Sequence, residues 1–105
     1  QGRFDHTMAN LYLLLYRRPD LVLMDECNRV RILKQGSYRI KKEYAYLSFL
    51  ALEETCLSES GVAYPLERKT IHVQDILTVS NEIIAEEALI TVHSGRVLMM
   101  EADDQ

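Results

Sequence analysis

Glycine, proline and cysteine are scarce in this sequence, with four, two and two residues among 105. So little glycine and proline excludes collagen-like and low-complexity architectures. Cys27 and Cys56 fall short of the disulfide framework that a small secreted domain needs, and they read as idle thiols in a reducing cytoplasm. A long hydrophobic run is also missing. Spanning a bilayer takes ~20 apolar residues, whereas the longest apolar stretch here, Leu11 to Tyr16, is six residues and stops at Arg17-Arg18. No transmembrane segment is expected. Nor is there a glycine-rich phosphate loop, a nucleophile elbow or a pair of histidines at metal spacing.

What remains is a composition of 48% hydrophobic and 27% charged residues, enough for one ordinary core. No repeat or linker divides the chain, so residues 8–105 read as a single globular domain. Residues 1–7 read as a foreign remnant of tag removal. They are polar, they precede Met8, and Gln1-Gly2 matches a common protease junction. His6 is set aside with them.

Alternation dominates the central region. Val22, Met24, Val30, Ile32, Tyr38 and Ile40 recur at a spacing of two, the signature of one sheet face. Parity pairs Met24 with Val30 and Val22 with Ile32 around a Glu26-Cys27-Asn28 loop, with Asp25 opposite Arg29. It also pairs Ile32 with Tyr38 and Val30 with Ile40 around Lys34-Gln35-Gly36, giving a three-stranded meander. Ser94-Gly95 predicts a second hairpin, with Val92 opposite Val97 and Ile90 opposite Met99. Thr70–Val73 and Leu77–Val79 alternate like further strands, while Pro65, in the approach to them, does not suit a central strand.

Two segments are ambiguous. Met8, Leu11, Tyr12 and Leu15 stand at helical spacing before Pro19, although a buried edge strand would also suit the stretch. Tyr44 to Leu52 is apolar on every face; its aromatics and its continuation from a strand favour a strand, and a helix over about 42–58 is the alternative. The expected fold is mainly β, a small antiparallel meander forming a strongly twisted sheet or partly closed barrel, with one short N-terminal helix. In the alternative, α+β, the 42–58 helix packs on the sheet.

Charge is uneven. The net charge is −4 and the pI about 5.3, which disfavours nucleic acid and anionic membranes at long range. Yet Arg29, Arg31, Lys34, Arg39, Lys41 and Lys42 cluster between Cys27 and Lys42 without an acid, and the last third is acidic. The predicted meander puts Arg29, Arg31, Arg39 and Lys41 on one outward face, with Leu21 and Leu23 beside them. Such a patch requires an offset, from Asp25 and the acidic C-terminal third or from a partner. These six residues are the candidate binding site.

Other groups carry less. His72 and His93 read as exposed strand residues, since a metal site needs three or four convergent ligands. Asp25-Glu26, Glu53-Glu54 and Glu86-Glu87 read as solvated surface, because neighbouring side chains diverge. Glu101 to Gln105 reads as a frayed tail. No catalytic, metal or cofactor residue is assigned. The expected function is therefore a non-enzymatic cytoplasmic interaction domain that binds a protein partner or a second copy of itself. The alternative is an anion-binding module for nucleic acid or phosphoinositide.

Overall fold

The structure, a computed structural model, describes residues 3–104. Helix α1 (Phe4–Tyr16) is followed by eight strands: β1 (Leu23–Met24), β2 (Asn28–Leu33), β3 (Gly36–Lys41), β4 (Tyr46–Ala51), β5 (Thr55–Ser60), β6 (Leu66–Ile71), β7 (Glu87–Ser94) and β8 (Val97–Ala102). The strands form two four-stranded antiparallel sheets, ordered β1-β2-β8-β4 and β3-β7-β5-β6. The mainly β class with a short N-terminal helix is as expected, and Tyr46–Ala51 is a strand. Among the described residues no helix is long and apolar enough to cross a membrane. Of the expected remnant, Gln1 and Gly2 lie outside the described residues, and Phe4 to Thr7 begin α1.

The expected single meander is replaced by a two-layer arrangement. β2 pairs with β1 and β8, whereas β3 pairs with β7 in the other sheet. Lys34-Gln35 is thus an arch between sheets, not a hairpin loop. The Ser94-Gly95 connection behaves in the same way, since β7 and β8 lie in different sheets. Ile90, Val92, Val97 and Met99 are all buried as expected, but they meet across the interior rather than side by side. Gly95 is required there. Its φ is +86°, and a side chain would collide with the Glu54 carbonyl and Thr55 in the neighbouring β4–β5 arch.

The first hairpin is shifted by one residue, pairing Leu23 with Val30 and Met24 with Arg29. The Asp25 carboxylate causes this. Its Oδ1 accepts the backbone N–H groups of Cys27 and Asn28, each at 2.9 Å, and closes a tighter turn than expected. These bonds hold its carboxyl below the usual range, with the Cys27 N–H contributing most. The shift leaves Val22 and Met24 exposed and Leu21 and Leu23 half-buried. In α1, Leu14 is the buried residue and Tyr12 is exposed. Beyond β6, residues 72–86 form a long loop, so the expected Leu77–Val79 strand is absent.

The interior between the sheets also holds two carboxylates. Glu101 was expected in a frayed tail, but it lies in β8 and is 2% exposed. The Arg29 guanidinium donates to it twice, at 2.8 and 2.9 Å, and donates to Glu43 at 2.9 Å. The Glu101 contact leads in raising the Arg29 pKa, so that side chain stays charged. Asp103 is tied down too, its Oδ1 accepting the Ala45 N–H at 2.7 Å, while Gln105 lies outside the described residues.

Glu59 on β5 is also 2% exposed, and no ion pair reaches it among the described residues. Burial pushes its carboxyl up from the ordinary 4.5 to about 7, against the opposing pull of a hydrogen bond from Asn81.

The two carboxylates should respond differently to substitution. Glu101→Leu strands Arg29 with Glu43 alone and should cost about 3 kcal/mol, the lower end for a broken buried pair because Arg29 keeps partial exposure. Urea unfolding measures it, and a loss below about 1 kcal/mol would contradict the assignment. For Glu59 the folded state binds more protons than the unfolded chain between pH 4.5 and 7. Its contribution is thus complete below pH 4.5 and is lost as pH rises through 7. Glu59→Gln should match the parent near pH 4 and exceed it by about 3 kcal/mol at pH 8, read as the difference between two urea-unfolding series.

Candidate functional site

The predicted cationic face does not exist. Arg29 and Arg31 share the inward side of β2 with buried Leu33, at the open end of the sandwich. Arg29 stacks over the Tyr44 ring at 5.0 Å, and Arg31 over the Tyr38 ring at 5.6 Å. Arg39 and Lys41 lie on the outward side of β3 in the other sheet, where Arg39 meets Glu87 at 3.2 Å. The arch after β2 separates the two pairs. Leu21 and Leu23 are half-buried, and Leu23 lines a cleft beneath α1. The expected internal offset from the acidic C-terminal third is real, through Glu101 for Arg29 and Glu87 for Arg39; Glu43 adds to it, and Asp25 does not pair with Arg29.

Three other surfaces have some shape. The cleft beneath α1, about 520 Å³, has Leu11, Leu23, Val30, Leu98 and Met100 in its walls. A shallow groove of about 450 Å³ lies by Ser58, Pro65, Leu66, Leu89 and Thr91. There, His93 Nε2 and Ser58 Oγ are 2.7 Å apart, and the Arg68 N–H also donates to Ser58 Oγ. The third surface is the segment from Val73 to Ile84, and its construction is unusual.

This segment closes one side of the sandwich. Along the edge of β4, Phe49 N–H donates to the Thr78 carbonyl at 2.9 Å, and Leu47 and Asn81 exchange backbone bonds at 2.8 and 2.9 Å. Ser80 N–H donates to Ser48 Oγ at 2.8 Å, and Ser80 itself has a positive φ of 61°. Ile83 then bridges to Val62 beyond β5, with Ile84 N–H on the Gly61 carbonyl. Both sheets are thereby joined.

Asn81 is the hub, 6% exposed. Its Oδ1 accepts the N–H groups of Tyr64 and Glu82, and its Nδ2 donates to the Tyr64 carbonyl and Glu59 Oε1. All four hydrogen-bonding positions of the amide are used.

The backbone is pinned and Ile83 is buried, yet the segment's other apolar side chains point to solvent. Val73, Ile76, Leu77, Val79, Ile84 and the adjoining Tyr64 are all exposed, Leu77 to 87%. Glu82 and Glu86 are exposed nearby. An apolar surface on a fixed backbone with acids beside it suits a flat or aliphatic group carrying positive charge. Among the described residues no cluster of three or more His, Cys, Asp and Glu side chains could hold a metal ion. The sequence placed Val73, Leu77 and Val79 in strands, with the polar pair Ser80-Asn81 as no more than a break after them, and offered no role for Glu59. The one local signal was Val79-Ser80-Asn81-Glu82-Ile83, a turn pair set between apolar residues.

Residues 37–97 match the family described as thiamin pyrophosphokinase, vitamin B1 binding domain. No curated protein matches the chain significantly. Among solved structures, the thiamine pyrophosphokinase from Bacillus subtilis is similar over 99% of this chain and 52% of its own, with 29% identity and a TM-score of 0.88. That from Geobacillus thermodenitrificans is similar over 100% of this chain and 51% of its own, with 28% identity and a TM-score of 0.86. The Candida albicans enzyme, at 18% identity and a TM-score of 0.69, shares the fold. The chain thus spans about half the length of the structures it matches.

These likenesses overturn the expectation of a non-enzymatic protein-interaction domain, and the alternative of a nucleic-acid or phosphoinositide module goes with it. Both rested on a cationic face that the two sheets divide, whereas the family match ties the chain to an enzyme. On a match covering more than half of its length, the chain belongs to the thiamin pyrophosphokinase vitamin B1 binding domain family.

Proposed function

We propose that this chain is the vitamin-binding part of a thiamin pyrophosphokinase and that the segment from Val73 to Ile84 forms its contact surface for vitamin B1. One observation carries the choice of surface. The matched span, residues 37–97, leaves out every residue lining the cleft beneath α1 and takes in both the groove by Ser58 and Leu89 and the segment with Asn81. Of these two, the segment is the one that turns Val73, Ile76, Leu77, Val79 and Ile84 to solvent on a pinned backbone with acids beside them.

The chemistry agrees. Thiamin has two flat rings, one of them a permanent cation. Ile76, Leu77, Val79 and Tyr64 offer apolar area for the rings, and Glu82 and Glu86 favour the positive charge. The net charge of −4 also steers a cation inward. In the reaction that the relatives' name describes, the vitamin's hydroxyl oxygen loses its proton and forms a bond to the β-phosphorus of a nucleoside triphosphate. The bond between the β-phosphorus and the oxygen bridging to the α-phosphorus breaks, and the nucleoside monophosphate leaves with the vitamin carrying the diphosphate. This chain's part is to bind and orient the vitamin, which lowers the barrier by restricting the geometry of attack. A cytoplasmic setting accompanies this reading, because Cys27 and Cys56 are both unpaired thiols.

The full-length protein should therefore form thiamin diphosphate from thiamin and magnesium ATP, followed chromatographically. Leu77→Asp should raise the KM for thiamin about tenfold, the loss of one good apolar contact, with kcat nearly unchanged. Arg39→Glu, on the outer side of the other sheet, should leave both parameters alone. Absence of thiamin diphosphate, or an unchanged KM in Leu77→Asp and Ile76→Asp alike, would overturn the proposal.

A further inference from the structure

Glu59 is a buried carboxyl that no cation pairs with among the described residues. Ile90 of β7 and Leu66 of β6 stand opposite it in the sheet register, and among the described residues its carboxyl's one hydrogen-bond partner is Asn81 Nδ2, at 3.2 Å. Burying such a group is expensive, and an apolar residue would suit the position better if packing were its only role. Glu59 therefore needs a role in what it touches.

Asn81 supplies one. An amide is nearly symmetric in shape, so its orientation is set by its partners. In the observed orientation, Nδ2 faces the Glu59 carboxyl and the Tyr64 carbonyl, and Oδ1 faces two backbone N–H groups, at 3.0 and 2.9 Å. Removing Glu59 Oε1 deprives Nδ2 of one of its two acceptors and loosens the selection. The consequences run directly into the segment. Glu82 N–H and Tyr64 N–H are fixed by Oδ1, and the Asn81 backbone is fixed by Leu47. Val79 and Ile84 lie within three residues on either side.

We propose that Glu59 is a positioning residue for the vitamin B1 surface: its carboxyl oxygen holds the Asn81 amide in one orientation, and the amide fixes the segment that presents Val79 and Ile84. This rests on the reading that the segment takes vitamin B1. Glu59 touches no ligand itself. It acts through an amide that joins the end of β5, the Tyr64 loop and the edge of β4.

The decisive comparison is Glu59→Met, of similar size but without an acceptor, against Glu59→Gln, which retains the oxygen. In the full-length protein, Glu59→Met should raise the KM for thiamin about five- to tenfold, the equivalent of one lost hydrogen bond, with kcat within about twofold. Glu59→Gln should restore the KM to within about twofold of the parent. Amide hydrogen exchange at Tyr64 and Glu82 should quicken in the methionine variant and return in the glutamine variant.

A residue that merely filled space would change stability without this split between methionine and glutamine. If Glu59→Met does not fold, Asn81→Ser tests the same link from the other side and should raise the KM and quicken exchange to a similar extent. A parent that turns over thiamin with an unchanged KM in Glu59→Met, or in Asn81→Ser where only that variant folds, overturns the role of Glu59 and leaves the vitamin reading standing. A parent that neither binds nor turns over thiamin removes the vitamin reading, and unchanged exchange at Tyr64 and Glu82 then overturns the positioning role as well.

Discussion

The fold depends on one layer of side chains held between two sheets. Leu33, Phe49, Val97 and Met99 project from one sheet, and Ile40, Leu57, Ile90 and Val92 from the other, all 6% exposed or less. Burying each such side chain contributes roughly 1.5–3 kcal/mol. The chain crosses this layer at four of its connections, after β2, β3, β4 and β7. Every crossing gives up the local hairpin that would have formed without long-range contacts. Only the shared interior makes that arrangement favourable, and of the sequence-adjacent strands β1–β2 and β5–β6 alone pair as hairpins among the described residues.

That constraint explains what could be read in advance. Period two identifies which side chains face inward but not which strand lies alongside. Val92 and Val97 illustrate the ambiguity, because a hairpin and an arch both bring them face to face. β3 and β7 have one covered face, so Tyr38, Ile40, Ile90 and Val92 were legible as inward. In β2, Val30 lies under α1 while Leu33 enters the interior, so apolar residues occur at both parities and the pattern favoured the wrong one. Arg29 and Arg31 misled for the same reason. They are inward residues at an open end, where aromatic rings and carboxylates accept their charge.

The site was less legible, and the reason is distance along the chain. Asn81 gains its meaning from Tyr64, Glu59 and Leu47, which are 17, 22 and 34 positions away. No spacing rule covers such a set. The alternation over Val73, Leu77 and Val79 resembles a half-buried strand, and only the fold shows that their side chains are left outside. Glu59 occupies an inward strand position, where a sequence reader expects an apolar residue and treats an acid as a break.

The segment from Val73 to Ile84 also poses an energetic problem that the hub resolves. A loop ordinarily holds its shape by burying some large side chains of its own. This loop turns several outward and forgoes roughly 1.5–3 kcal/mol for each. Backbone pairing along β4 and at Val62 recovers part of that loss, and a saturated Asn81 amide recovers more. Net contributions near ~1 kcal/mol per hydrogen bond make several such bonds necessary. Polar clamping beneath an apolar exterior is thus a physical requirement of presenting a greasy surface to solvent in one conformation. The buried carboxyl at Glu59 belongs to that clamp, which accounts for an acid in a position that packing alone would give to leucine.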